Sequence, residues 1–307
     1  MDEPAVSARG LRKSYGDVEA VRGLDLEIGR GEVFAFLGPN GAGKTTTVEI
    51  LEGYRERTAG EISVLGEDPG TAGLEWRERI GIVLQQCRMR PVLTVRETLE
   101  LYAGYYRAPR AVEATIELVG LAEKADARAG KLSGGQQRRL DVAVALIGDP
   151  ELLFLDEPTT GFDPSARRQA WEVIASLREL GKTVFLTTHY MDEAQALADR
   201  VAIIARGEIV AEGAPAELGG RARAATEISF AAPPPGAGAL PPLAAAAIDG
   251  RPANGTVRLR SSAPVELLNE LTGWALERGV ELAGLEVRRP SLEDVYLELT
   301  GGGEGTE

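Results

Sequence analysis

Eight residues, Gly38 to Thr45, read GPNGAGKT, and their types and order suit them to hold phosphate. Gly38, Gly41 and Gly43 release the backbone from Cβ restraint, so that its N–H groups can turn inward on an anion at the positive end of a helix. Lys44 supplies a point charge for β- and γ-phosphates, and the Thr45 hydroxyl suits Mg²⁺. With Pro39, Asn40, Ala42 and the following Thr46, the loop is assigned to a nucleoside triphosphate. A second chemical run is LLFLDEP (152–158), where Asp156 and Glu157 close an apolar stretch. Asp156 there can reach Mg²⁺ through water, and Glu157 can act as a general base on the attacking water. His189, the one histidine, ends another apolar run, TVFLTTH (183–189), where it can contact a γ-phosphate or serve only to pack.

These side chains meet only if the runs are neighbouring strands that end on one edge of a sheet, where open α/β folds bind ligands. The apolar run VFAFL (33–37) precedes the glycine loop, and Thr46 to Leu51 follow it as a helix. Continuous apolar runs of this kind belong inside parallel sheets. Residues 6–13 and 24–28 alternate as strands of an antiparallel edge sheet, with Tyr15 in a turn between them, and 60–66 and 80–85 add short strands. Between Val95 and Gly120 the spacing becomes helical, with Thr94 and Glu97 as a capping box. Ser133 can cap a further helix through Ala143 and Ile147. A helical subdomain over about 86–150 is therefore inserted in the sheet. A helix over Ala166–Leu180, a hairpin over Arg200–Ala211 and a short helix at Pro215–Leu218 complete a first domain, residues 1–219. Beyond it, 220–307 holds strands at Glu227–Phe230, Thr256–Arg260 and Leu282–Val287, and helices at Val265–Arg278 and from Ser291. The Pro- and Ala-rich stretch 231–247 reads as a loop. The fold class is α/β: a phosphate-loop NTPase core with an antiparallel edge subdomain, a helical insertion and a small C-terminal α+β domain.

The 307 residues carry a formal net charge of −13, and no Lys/Arg stripe offsets it, so a nucleic-acid partner is not expected. The single cysteine, Cys87, leaves no internal disulfide. No run has the apolar length of a membrane span, and the first ten residues lack the pattern of a secretory signal. The expectation is a cytoplasmic protein that acts at a membrane only through a partner.

LSGGQ at Leu132–Gln136, together with the glycine loop upstream and LDEP downstream, resembles the ATP-binding-cassette family over residues 4–218. The resemblance implies that Leu132, Ser133, Gly134, Gly135 and Gln136 close over ATP held by a second ATPase subunit. A hydroxyl, glycine N–H groups and a helix N-terminus make a suitable anion site. It further implies that Tyr15 stacks on adenine, although an ordinary turn tyrosine is the alternative. Gln85, with Gln86 beside it, matches the glutamine that touches Mg²⁺ and the attacking water. Asp163 matches the loop that contacts the opposite subunit, and His189 the switch histidine. Catalysis would then rest on Glu157, His189 and Gln85, and the metal on Thr45, Gln85 and Asp156. Relatives that act on nucleic acid carry long insertions or two cassettes in one chain, and neither is present here.

RRPSLEDVYLELTG (288–301) is similar to the ending of ATPase subunits of bacterial drug and natural-product exporters, the daunorubicin type. That likeness implies an ATPase subunit, peripheral on the cytoplasmic face of the membrane. It would power export of a drug, natural product or lipid-like compound through a separate integral permease. ATP and Mg²⁺ are the implied cofactors, and a homodimer with ATP sandwiched head to tail is the implied assembly.

Overall fold

The structure is a computed structural model describing residues 3–84, 91–218, 225–234, 238–248, 255–288 and 291–300. It divides into two units, Met1–Pro215 and Ala216–Glu307. In the first, Val6–Tyr15 (β1) and Val18–Ile28 (β2) pair antiparallel, and the strand Val33–Leu37 (β3), buried throughout, leads through the glycine loop into Lys44–Leu51 (α1). Ala59–Val64 (β4) returns to β1, giving a sheet of order β2-β1-β4. The first two strands are longer than their alternation predicts, because pairing with each other extends both to the turn at Gly16–Asp17, and Tyr15 is the last residue of β1.

Leu74–Glu78 (α2) precedes Ile80–Val83 (β5). The helical insertion follows as Val95–Ala103 (α3), Val112–Leu118 (α4) and Gly134–Leu146 (α5). The chain then alternates through Leu152–Asp156 (β6), Pro164–Glu179 (α6), Thr183–Thr188 (β7) and Met191–Leu197 (α7). It closes on the hairpin Arg200–Ala205 (β8) and Glu208–Gly213 (β9), turning at Arg206–Gly207, both at positive φ. The second sheet has the order β5-β6-β7-β3-β8-β9, parallel except for β9. Its middle packs through aromatic rings: Phe185 lies 5.6–5.8 Å from Phe34, Phe36 and Phe154, each on β3 or β6. Each ring is fully buried, which contributes about 2–3 kcal/mol apiece. This core fixes the parallel register, which sets Leu37 beside Thr188 and Asp156 beside Thr187. The loop, the acidic pair and His189 thus leave the sheet along one edge.

In the second unit, Thr226–Ala231 (β10) pairs antiparallel with Thr256–Ser261 (β11) and Glu286–Arg288 (β12). Pro242–Ala246 (α8), Pro264–Arg278 (α9) and Leu292–Thr300 (α10) complete it. Ile228, Phe230, Val257 and Leu259 alternate onto one sheet face and pack with Leu267, Leu271 and Trp274 of α9. Three expectations change. The Pro/Ala-rich stretch contains α8, where Pro242 occupies the first turn, a position that needs no N–H donor. The strand expected from Leu282 begins only at Glu286, after a turn with Gly284 at φ 66°. Of the short helix expected over Pro215–Leu218, Pro215–Glu217 form a turn and Leu218 alone of the described residues is in 3₁₀ helix.

Candidate nucleotide site

Gly41 and Gly43 in the loop sit at φ 78° and 105°, in the left-handed region that glycine alone enters freely. Space is as restrictive as angle: a Cβ on Gly38 would meet the Ile204 carbonyl at 2.5 Å, and one on Gly43 the Ala20 carbonyl at 2.5 Å. The loop is therefore wedged between β2 and β8. Ala42 is buried and donates its N–H to Pro39 O at 3.2 Å, which tightens the curl. Lys44 is folded back, with Nζ donating to the carbonyls of Gly38 at 2.6 Å and Pro39 at 3.1 Å. Burial lowers the pKa of its ammonium, while Glu157 and Asp156 oppose that shift. Asn40, Gly41, Gly43, Lys44, Thr45, Thr46, Asp156 and Glu157 line one cleft of about 350 Å³, with Ala20 at its margin.

The strand ends hold the carboxylates by a device that the sequence does not reveal. Thr187 Oγ1 donates to Asp156 Oδ1 at 2.5 Å and accepts the Glu157 N–H at 3.1 Å. Glu157 is itself at φ 45°, an unusual conformation for a residue with a side chain. Its Oε2 accepts from Thr160 Oγ1 at 3.0 Å, and its Oε1 lies 3.3 Å from His189 Nδ1. Glu157 is largely buried and His189 is 43% exposed, so the pair spans from the sheet edge toward solvent. A carboxylate oriented in this way over a phosphate-binding loop can accept a proton from water.

Metal fit follows from the donor set. Thr45 and Asp156 face the same cleft, and no group of three or more His, Cys, Asp or Glu among the described residues could hold an ion. Such sparse oxygen donors fit Mg²⁺, which takes the rest of its ligands from phosphate and water. Gln85 and Gln86 lie outside the described residues.

The remaining expected residues are elsewhere. None of Leu132–Gln136 lines the cleft. Ser133 caps α5 in a reciprocal box with Gln136, at 3.0 and 3.4 Å, and Ser133 and Gly134 are exposed. Asp163 caps α6, its Oδ1 accepting from the N–H groups of Ser165 at 2.8 Å and Ala166 at 2.9 Å. Tyr15 is 42% exposed, outside the cleft lining, with Lys13 Nζ 5.1 Å and Arg55 Cζ 5.4 Å from its ring. Its ring face is thus bordered by cations.

Two further buried charges, Arg138 and Glu193, brace the strand ends. Arg138 of α5 donates to the carbonyls of Asp156 at 2.6 Å, Pro158 at 3.3 Å and Leu84. Glu193 of α7 accepts from Thr159 Oγ1 at 2.9 Å and Trp171 Nε1 at 3.2 Å, and burial raises its pKa. These hydrogen-bond partners lie 18 or more residues away in sequence, so no local pattern marks them.

Comparison with known proteins fits this geometry. Residues 21–160 match the ABC transporter family model, and residues 226–291 match the model for an ABC transporter domain-containing protein-like C-terminal domain. The daunorubicin resistance ATP-binding protein DrrA3 of Streptomyces coeruleorubidus is 40% identical over 313 residues, covering 98% of this chain and 97% of that protein. The Nod factor export ATP-binding protein I of Rhizobium sp. (strain N33) is 40% identical over 309 residues, with 98% of each chain covered. Among solved structures, cbiO1 from Clostridium perfringens, part of the ABC transporter complex cbiONQ, is 28% identical with a TM-score of 0.65, over 70% of this chain and 90% of that one. A dimeric post-hydrolysis state of the ATP-binding cassette MJ0796, bound to ADP and Pi, is 28% identical with a TM-score of 0.61, over 68% of this chain and 98% of that one. Subunits of this kind dimerise and work with membrane permeases, and no helix among the described residues is long and apolar enough to cross a membrane itself. Identity of 40% to two such proteins, each matched over 98% of this chain, makes this chain an ATPase subunit of the ABC transporter family.

Proposed function

We propose that this chain powers export of a drug-like, natural-product or lipid-like molecule through a separate integral permease, as a homodimer that sandwiches two ATP molecules. One observation carries the assembly: Ser133 and Gly134 are exposed at the N-terminus of α5, while the cleft of their own chain is lined without them. An anion site built in this way needs phosphate from elsewhere, and the cleft of a second copy supplies it. Export rests on the full-length likeness to a daunorubicin resistance protein and a Nod factor export protein. Both keep a region equivalent to the C-terminal unit.

In this reading Lys44 and the loop amides bind the β- and γ-phosphates, and Tyr15 stacks on adenine. Thr45 and Asp156, with Gln85, would hold Mg²⁺, which would neutralise phosphate charge there. Glu157, whose Oε2 accepts from Thr160 Oγ1, would accept the proton of the attacking water, and His189, 3.3 Å from that carboxylate, would contact the γ-phosphate. Asp163 meets the partner subunit across the dimer. The protein sits peripherally on the cytoplasmic face.

Glu157→Gln is expected to keep ATP affinity within about twofold, to slow steady-state hydrolysis at least about 100-fold and to accumulate ATP-bound dimer. Undiminished turnover would exclude Glu157 as the base. Affinity purification from mild detergent, with neighbouring genes co-expressed, should recover a multi-spanning protein in fixed ratio. Recovery with ribosomes or DNA instead would refute transport.

A further inference from the structure

The carbonyls on either side of Glu157 share one donor. Arg138 Nη2 donates to Asp156 O at 2.6 Å, and Nε of the same guanidinium donates to Pro158 O at 3.3 Å. Nη1 donates to Leu84 O, at the exit of β5. The side chain is nine-tenths buried, and Asp141 Oδ2, one helical turn on, lies 3.8 Å from Nη1. The rigid planar fork of arginine meets several acceptors in fixed geometry, which a lysine cannot do. Glu157, between the two carbonyls, is held at φ 45°, a conformation that L residues keep only where surroundings impose it. On the other side its N–H is fixed by Thr187. Arg138 is thus half of the clamp that holds the base in its left-handed turn.

The clamp rides on α5, four residues after the helix begins at Gly134. We propose that Arg138 is a positioning residue that couples the two ATP sites of the dimer. The signature helix, seated on the partner's ATP, sets the backbone of Glu157 in its own chain. The proposal rests on the composite-site reading above. It places the effect of Arg138 on the site that holds its own Glu157, whereas Ser133, on the same helix, serves the opposite site.

Mixed dimers of full-length chains carrying two different tags separate these roles. One chain keeps Glu157 and the other carries Glu157→Gln, so a single site turns over. Arg138→Gln on the chain that keeps Glu157 should lower turnover at least tenfold relative to the same substitution on the Glu157→Gln chain, with the KM for ATP shifted less than threefold. Ser133→Ala should show the opposite ordering. Equal or inverted turnover for Arg138→Gln, with Ser133→Ala behaving as expected, overturns the proposal. Loss of asymmetry for Ser133→Ala alone overturns the composite-site reading instead. Arg138→Lys, which keeps the charge without the fork, is read in the same two arrangements and should give the same ordering should the glutamine chain not fold.

Discussion

Gly43 answers two demands at once, a backbone angle and a near contact, while Gly41 answers only the first. A Cβ at Gly41 would meet nothing within 4 Å, whereas one at Gly43 would strike the Ala20 carbonyl. In the absence of nucleotide, Gly41→Ala should therefore lower unfolding free energy by about 1–2 kcal/mol, the cost of a side chain in the left-handed region. Gly43→Ala should cost at least about 2 kcal/mol more, since backbone must shift. Urea unfolding of both variants checks the difference. Glu52, just past α1, makes a second case. Burial first, then Asp156 and Glu49, push its carboxyl up from 4.5 to about 8. The folded state holds that proton more tightly than the unfolded chain does. Its contribution is complete below pH 4.5 and is lost as pH rises through about 8. Glu52→Gln should match the wild type in unfolding free energy near pH 4 and exceed it increasingly as pH rises, by about 1.4 kcal/mol per pH unit and so by about 4–5 kcal/mol above pH 8, as urea unfolding across that range would measure. A constant difference across that range would show that Glu52 does not titrate as stated. At this scale the sequence was informative wherever chemistry is local: glycines, Lys44 and Thr45 fall in one loop. Thr187 and Arg138 were not legible, because their partners arrive through strand pairing and helix packing.

Helix starts show how far local chemistry reaches. Thr94 and Ser133 each cap a helix reciprocally with the residue three positions on, Glu97 and Gln136. Both starts are legible in the sequence, since a hydroxyl and a carboxylate or amide at that spacing satisfy two amide donors. Thr94→Ala should destabilise the first unit by about 1 kcal/mol and leave ATP affinity unchanged, because α3 contributes nothing to the cleft lining. Calorimetric melting with and without ATP tests both halves of that expectation. The short helices carry no such signal, for the complementary reason. Leu74–Glu78 and Met191–Leu197 span five and seven residues, too few to show a helical period. Met191–Leu197 nonetheless reaches the segment that follows the acidic strand end. Its Glu193 ties Thr159, two residues past Glu157, to Trp171 on α6.

Across the whole molecule the strand types could be read but their order could not. Apolar runs identify β3, β6 and β7 as buried strands, yet the sequence β5-β6-β7-β3-β8-β9 depends on crossovers through helices that carry no address. The join between the two units follows a different logic, that of separate cores. All cleft-lining residues, together with Arg138 and Glu193, precede Pro215. The first unit buries Phe34, Phe36, Phe154 and Phe185 in a core of its own. The second buries Phe230, Leu259, Leu271 and Trp274 in another. A domain with its own core and its own site can fold without its neighbour. A chain ending after Pro215 should therefore stay folded and bind ATP with a Kd within about twofold of the full chain, a difference under about 0.5 kcal/mol. Titration calorimetry of the two forms measures this directly. A tenfold weaker Kd in a truncated chain with an intact melting transition would mean that the C-terminal unit contributes to nucleotide binding. Equal affinities would confine its role to steps after ATP is bound.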